Sequence, residues 1–491
     1  MRMYARLSKS VKKYPGTFFL VGVLLFVHVY SFSTLTTKPA YWYDEALNVE
    51  LSRNFSESGK LDVIIAPGIF SGKGGAVGST GYPATVPLAG VFKLFGFGLA
   101  QARAYMLVWM CALLISFFFI AKRLWSPLVA YGGTLLIATF APFYGNGRSV
   151  MGEIPGFLFF LFSFYFLERK RYALSGVLLG LAVVSKPSVF IFLIPAYTVA
   201  ILCMSGAWKA RIVSLVKLGG SSILALLPWF AIYVEEIAHG GLGENIFNHF
   251  KNPYAEAGAS ALSNVVSNLP SLLTSTTLLY IWCMIGVVVV ALIARRSLLS
   301  EHKTILIIGA VYFPLALFQY LKSFGYLRYL IAFEFVTFIV FLLALPTLLE
   351  WVAQKSTRIS FAPKALPFII GALVLFQTVH LFFLSDLYAS EKTERTVAYL
   401  AATYPNEIVG VHNLPQIGSM LPAARKYQYF RTYGLWDFGT RILSLPQEEL
   451  PTVLLSESGE SDFSPEEVEV LKQYYVPDMA LQGGFAVYRL K

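Results

Sequence analysis

The sequence predicts a polytopic α-helical membrane protein of about eleven spans, followed by a small extracytoplasmic α/β domain. Three observations predict it. Of 491 residues, 56% are hydrophobic and only 14% are charged, and the mean hydropathy is +0.62; soluble domains carry about 25% charged residues. Apolar runs long enough to approach a bilayer core recur along the first 385 residues. Charge then changes sign: residues 1–385 hold 30 Lys and Arg against 14 Asp and Glu, whereas residues 386–491 hold 9 against 14. The cations of the first part lie in short loops between apolar runs, which speaks for membrane topology and against nucleic acid as a partner.

The spans are expected at roughly 17–36, 100–121, 127–143, 154–167, 172–185, 188–205, 212–234, 270–294, 304–321, 325–347 and 365–385. The first is expected to stay as a signal anchor, because it lacks a small-residue cleavage site. Alternate loops, beginning with Arg2, Arg6, Lys9, Lys12 and Lys13 and ending with Lys355, Arg358 and Lys364, carry 19 cations against three acids, Glu168, Glu301 and Glu350. The positive-inside rule therefore puts the N-terminus in the cytosol and the first outer loop, residues 37–99, outside it. After eleven crossings the tail is outside as well. In that tail a helix is expected over 391–402 and short strands near 408–411, 453–455 and 485–490, giving a domain boundary at 385/386. In the first outer loop, 46–55 reads as a surface helix and the five-glycine stretch 71–81 as mobile. Residues 82–95, with two prolines, read as an interfacial or re-entrant helix. Cys111, Cys203 and Cys283 all lie in apolar runs, so no disulfide framework is implied.

The residues that invite a chemical reading are Tyr41-Trp42-Tyr43-Asp44-Glu45-Ala46, directly after the first span. Adjacent carboxylates at the hydrocarbon boundary are expensive and tend to mark function. Asp44 is the candidate general base, expected as an unpaired carboxylate beside a low-dielectric wall; Glu45 either orients an acceptor or holds the loop. Both also suit the first turn of a helix that starts nearby. Outward-facing cations near span ends are Arg103, Arg148, Lys186, Lys322 and Arg328, which either bind phosphate or snorkel to headgroups. Lys73, in the glycine stretch, is a further candidate for a phosphate; that stretch lacks the Lys-Ser/Thr ending of a P-loop. Glu153 orients a sugar, pairs with Arg148 or complements its helix dipole. Loop 235–270, with Glu244 and Lys251-Asn252-Pro253-Tyr254, reads as a polar connector or an acceptor entrance. The six histidines show no metal-ligand spacing, and Asp44 with Glu45 offers too few ligands to imply a divalent cation, so no cofactor is expected.

Taken in order, these pieces resemble the GT-C glycosyltransferases, in particular the family of protein O-mannosyltransferases and lipid A aminoarabinose transferases (glycosyltransferase family 39-like). The resemblance covers most of residues 15–345. It rests on Trp42-Tyr43-Asp44-Glu45-Ala46, Tyr82-Pro83 to Pro87-Leu88, Arg103, Gly147-Arg148 with Glu153, Gly180-Leu181-Ala182 with Lys186-Pro187, and Arg328-Tyr329. The chain departs from the pattern in its span count and in Tyr-Pro-Ala-Thr-Val-Pro-Leu where a tighter Pro-Pro-Leu element is usual. The resemblance implies inverting transfer of a sugar from a polyprenyl-phosphate donor to an extracytoplasmic lipid, glycan or protein acceptor, in a bacterial inner membrane. Asp44 and Glu45 would be catalytic, Arg148, Lys186, Arg328, Lys73 and Arg103 would bind the donor phosphate, and Glu153, Tyr82 and Tyr43 would orient substrate. The rival readings are a flippase for lipid-linked saccharides and a non-catalytic envelope glycan-binding paralogue. The flippase is disfavoured by the lack of repeat halves.

Overall fold

The structure, a computed structural model, describes residues 14–238, 261–323, 325–355, 362–384, 389–432, 436–481 and 483–491. The N-terminal cations up to Lys13, Arg358 and the Glu244 to Tyr254 part of the outer loop lie outside the described residues.

Every one of the eleven expected segments is helical. Helix α1 spans Pro15–Phe32 and is followed by α2, Tyr43–Ser58. A two-stranded ribbon, β1 Ile64–Ala66 and β2 Ile69–Phe70, closes the first part of the outer loop. Then come α3 Tyr82–Phe95, α4 Leu99–Leu124, and the pair α5 Pro127–Ala138 and α6 Ala141–Gly147. Next are α7 Glu153–Glu168, α8 Tyr172–Ser185, α9 Leu193–Leu202 and α10 Trp208–Leu224. The bundle is completed by α11 Ala261–Thr274, α12 Thr276–Ala294, α13 Lys303–Lys322, α14 Ile331–Lys355 and α15 Leu366–Val379.

Seven helices among the described residues are long and apolar enough to cross a bilayer, and α5 with α6, bent by 65°, makes an eighth if the pair is one span. Three expected spans are short: α7 has 16 residues, α8 has 14, and the 188–205 segment is broken into Pro187–Phe190 and α9. A perpendicular crossing needs about 20 residues. These short helices are buried among the others, where irregular backbone is tolerated because neighbouring protein, not lipid, surrounds it. Helices in a bilayer gain nothing from excluding lipid, so contact rests on close packing and cross-helix hydrogen bonds. Helices α7 and α8 show this: Ser163 Oγ donates to Ser175 O at 2.8 Å and Ser175 Oγ to Ser163 O at 2.9 Å.

The tail is an α/β unit. Helix α16, Lys392–Thr403, leads into β3 Val409–His412, β4 Lys426–Thr432, β5 Trp436–Gly439 and β6 Val453–Ser456. Helix α17, Pro465–Tyr474, starts with a Ser464/Glu467 capping box and precedes β7 Tyr475–Pro477 and β8 Ala486–Leu490. The six strands form one sheet in the order β5-β4-β3-β6-β8-β7. Strand β3 is parallel to both β4 and β6; the remaining pairs are antiparallel. The expected strands at 408–411, 453–455 and 485–490 are present. Strands β4, β5 and β7 had no sequence expectation.

The outer loop ties bundle to tail. Helix α2 stops at Gly59, which takes φ 73°, a conformation that suits glycine. One patch joins Leu47, Leu51, Leu61 and Val63 of the loop to Phe430 and Phe438 of the tail sheet. The expectation of a mobile 71–81 stretch needs correction. Asp62 Oδ2 accepts from Gly72 N at 2.7 Å and Gly75 N donates to Glu236 at 2.7 Å, while at the far end Gly81 N donates to Ser185 O at 3.2 Å, so the stretch is held at both ends.

Candidate functional site

Trp42 is extended and the chain turns helical at Tyr43, so Asp44 and Glu45 occupy the first turn of α2, where negative charge complements the helix dipole. Consecutive residues of a helix leave in different directions, and the two carboxylates meet different partners. Asp44 Oδ2 accepts from Arg328 Nη2 at 2.7 Å, at side-chain exposures of 23% and 10%. Arg328 lies just before α14, with its guanidinium 4.3 Å from the centroid of Trp42 and 4.7 Å from that of Tyr326. An aromatic collar of this kind fixes a guanidinium without neutralising it. Arg328 Nε has no acceptor. The expectation of an unpaired Asp44 is corrected: it is ion-paired.

Lys186 and Glu153 complete the same cluster. Lys186 Nζ is 3.9 Å from Glu153 Oε1, and both side chains are essentially buried. Among the described residues, neither carboxylate oxygen of Glu153 has a hydrogen-bond partner. Burial pushes the Lys186 ammonium below the usual lysine range; Glu153 and Asp44 oppose that push and Arg328 adds to it. Two glycines let this backbone corner close. A Cβ on Gly152 would stand 1.8 Å from Ser185 O, and one on Gly81 would stand 2.0 Å from Val184 O. Gly81 N donates to Ser185 O at 3.2 Å. The end of α8, and with it Lys186, is thereby pressed against the start of α7 and the entrance to α3.

Glu45 belongs to a second, inner cluster. Its two oxygens accept from Arg103 Nε at 2.9 Å and Nη2 at 2.7 Å, and both side chains are fully buried. Arg103 Nη1 donates to Leu35 O and Thr36 O. The fork-on-fork pair staples the end of α1's loop to α4. Arg103, expected among the phosphate ligands, has its guanidinium engaged by Glu45, Leu35 O and Thr36 O, and Glu45, expected to be catalytic, is enclosed with it. A span-end arginine reads the same in sequence whichever partner it meets.

Arg148 follows α6 and is also fully buried. Its Nη1 donates to Thr34 Oγ1 at 2.8 Å, and its guanidinium lies 5.6 Å from the Tyr30 ring centroid, while Nε and Nη2 have no acceptor. Burial lowers its pKa to about 10, with the Tyr30 hydroxyl opposing that fall. Arg148 does not pair with Glu153. Lys73 stands 5.5 Å from the Phe438 ring centroid, against the tail. Tyr82 OH donates to Ala225 O at 2.9 Å, and Tyr43 packs in the apolar patch that includes Leu47 and Leu51. Asp44, Arg328, Lys186 and Glu153 are therefore brought together; Arg148 and Arg103 lie beside Glu45, and Lys73 is apart from both groups. Among the described residues, no group of three or more His, Cys, Asp or Glu is placed to hold a metal ion.

Sequence reasoning missed Glu50. It lies on α2, is fully buried, and accepts from Lys426 Nζ at 2.7 Å, Gln428 Nε2 at 3.0 Å and Ile64 N at 3.0 Å. Nearby, Arg53 donates to Ser419 O and Leu421 O, and the Tyr41 hydroxyl is 2.8 Å from Ser419 Oγ. The helix that carries Asp44 is thus bolted to the tail by buried polar contacts.

Residues 86–232 match the model of the dolichyl-phosphate-mannose-protein mannosyltransferase family. The search of curated proteins found no match to the sequence. Solved structures share the fold at low identity. ArnT from Cupriavidus metallidurans in the apo state superposes with a TM-score of 0.65 at 12% identity, over 96% of this chain and 97% of that one. The same ArnT bound to undecaprenyl phosphate gives 0.64 at 14%, over 97% and 98%. The Archaeoglobus fulgidus oligosaccharyltransferase in its apo form gives 0.56 at 12%, over 97% of this chain and 74% of that one. The chain is a multi-helix membrane protein with the GT-C glycosyltransferase fold, and its central segment matches the protein mannosyltransferase family.

Proposed function

We propose that this chain is an integral membrane glycosyltransferase that moves a sugar, with inversion, from a polyprenyl-phosphate donor to an extracytoplasmic lipid, glycan or protein acceptor, with Asp44 as general base. The observation that carries the reading is the Asp44–Arg328 ion pair beside the buried Lys186–Glu153 ion pair. Support for the carrier comes from the ArnT structure bound to undecaprenyl phosphate and from the Archaeoglobus fulgidus AglB structure in complex with an inhibitory peptide and a dolichol-phosphate.

The chemistry follows from the partners. As donor enters, its phosphate offers Arg328 a bidentate acceptor, with Lys186 as a second cation. Arg328 turns from Asp44 to the phosphate, and the freed carboxylate takes a hydrogen bond from the acceptor hydroxyl. The acceptor oxygen bonds to the anomeric carbon, the bond from that carbon to the phosphate oxygen breaks, and the acceptor proton passes to Asp44. Polyprenyl phosphate leaves with its charge held by Arg328 and Lys186. Glu153, ion-paired with Lys186 at 3.9 Å but without a hydrogen bond among the described residues, accepts from sugar hydroxyls, and Tyr82 and Tyr43 shape the walls. Arg148 and Lys73 are supporting cations, Arg148 behind α2 and Lys73 at the tail interface. The N-terminus lies in the cytosol of a bacterial cell, and the tail lies outside.

The purified protein incubated with a panel of polyprenyl-phospho-sugars tests this reading. Release of free polyprenyl phosphate with at least one member, dependent on an acceptor hydroxyl, is expected. No release from any member, combined with movement of the intact lipid across a vesicle bilayer, would establish a flippase instead.

A further inference from the structure

In the proposed transfer Arg328 changes partners, from Asp44 to the departing phosphate, and an aromatic surface lies where it does so. Three ring centroids surround its guanidinium, Trp42 at 4.3 Å, Tyr326 at 4.7 Å and Tyr329 at 5.4 Å. Two of these rings neighbour Arg328 in sequence. Tyr329 belongs to the same short 3-10 turn, Leu327–Leu330, and Tyr326 caps that turn. Both move with the arginine when the turn moves. Of the three rings, only Trp42 comes from outside the turn.

The backbone fixes Trp42. It is extended, with φ −131° and ψ 174°, and its carbonyl accepts from Ala46 N at 3.0 Å, the first hydrogen bond of α2. Three residues on, Glu45 is sealed against Arg103 with both side chains fully buried. The indole therefore sits on a frame anchored in the bundle. It is also the ring with most to offer. It is the nearest of the three, indole is the strongest of the aromatic faces toward a cation, and desolvation strengthens such contacts. Trp42 is partly buried, whereas Tyr326 is 40% exposed.

The ring and the carboxylate hold the same guanidinium in different ways. A ring face attracts the cation through its charge and takes none of the N–H donors that oxygen acceptors use. Nη2 donates to Asp44 Oδ2 at 2.7 Å, and Nε has no acceptor among the described residues. A phosphate competes with Asp44 for these donors but not with Trp42 for the face. Exchange of one acceptor for the other is then a rotation against the indole, not a departure from it.

Given the transferase reading, we infer that Trp42 is a positioning residue of the transfer centre: its indole keeps Arg328 aimed at the donor phosphate while Asp44 lets go. The phosphate gains negative charge as its bond to the anomeric carbon breaks, so the aim counts most in the transition state and its loss falls on kcat. Steady-state release of polyprenyl phosphate, with Tm recorded alongside, tests this on Trp42→Leu, on Trp42→Phe and on full-length protein carrying progressively fluorinated tryptophan at position 42. Trp42→Leu keeps apolar bulk without a π face and is expected to lower kcat by about 30-fold, the size of a desolvated cation–π contact, with KM for the donor changed less than about threefold. Trp42→Phe is expected to recover part of that loss. Fluorine draws electron density from the indole face and nearly preserves its shape, so kcat is expected to fall stepwise along the series at constant Tm, a trend that packing alone does not produce. A flat fluorotryptophan series, or wild-type kcat in Trp42→Leu, overturns the inference, while turnover by the wild type in the same assay leaves the transferase reading in place. No turnover by the wild type with any donor removes both.

Discussion

Asp44 and Glu45 adjoin in sequence and differ in surroundings, because the helical turn sends one to a half-open cluster and the other into the bundle. Asp44 keeps 23% exposure beside Arg328, whereas Glu45 is sealed with Arg103. Glu45→Gln leaves the Arg103 charge buried with a neutral partner, a change that typically costs about 3–5 kcal/mol. Its expected phenotype is loss of folded protein, seen as a lowered Tm, before any specific loss of chemistry. Arg328→Met is expected to behave differently. It leaves a fold of near-normal Tm, because its partner Asp44 retains water, and cuts kcat/KM by about 10²–10³-fold through lost stabilisation of the leaving phosphate. Steady-state rates of polyprenyl phosphate release on both variants, with Tm measured alongside, separate these outcomes. The adjacent carboxylates drew notice in the sequence because a charged pair in an apolar context stands out. The ion pair was not legible, since 284 residues separate Asp44 from Arg328.

At the scale of elements, the cluster depends on how closely α7, α8 and the Gly81 turn approach. Gly152→Ala forces its methyl into Ser185 O, so the backbone at Lys186 must shift. A displacement of about 1 Å in a positioned group costs on the order of 10²-fold in rate. A fall of that size in kcat, with helical content unchanged by circular dichroism, is the expected result. Helix α2 depends on the tail in a comparable way. Lys426→Met strands the Glu50 carboxylate and is expected to destabilise by about 3–5 kcal/mol, whereas the double change Glu50→Met with Lys426→Met restores much of the loss. Thermal melts of the single and double variants in detergent check the coupling. The apolar helices and three strands of the tail were legible from their runs of aliphatic residues. Strand β4, Lys-Tyr-Gln-Tyr-Phe-Arg-Thr, was not, because its polar Lys426 and Gln428 read as surface and are in fact buried against Glu50.

At the scale of the molecule, bundle and tail act as one unit joined through α2. Glu50, Arg53 and Tyr41, all from the outer loop or its edge, meet Lys426, Ser419 and Leu421. A chain ending before residue 386 is therefore expected to lose polyprenyl phosphate release even though the cluster of Asp44, Arg328, Lys186 and Glu153 lies wholly in the part retained. The long apolar helices were legible from hydropathy, while the broken and shortened helices were not, since burial among neighbours, not hydropathy, permits them. In the proposed mechanism Asp44 yields Arg328 to the donor phosphate and then takes the acceptor proton. Asp44→Asn tests it most directly, with donor affinity and polyprenyl phosphate release measured on the same preparation. Donor is expected to bind at least as tightly as to the wild type, with release reduced by about 10²–10⁴-fold, the usual contribution of a general base. Release at the wild-type rate, or donor binding abolished together with it, would contradict the claim.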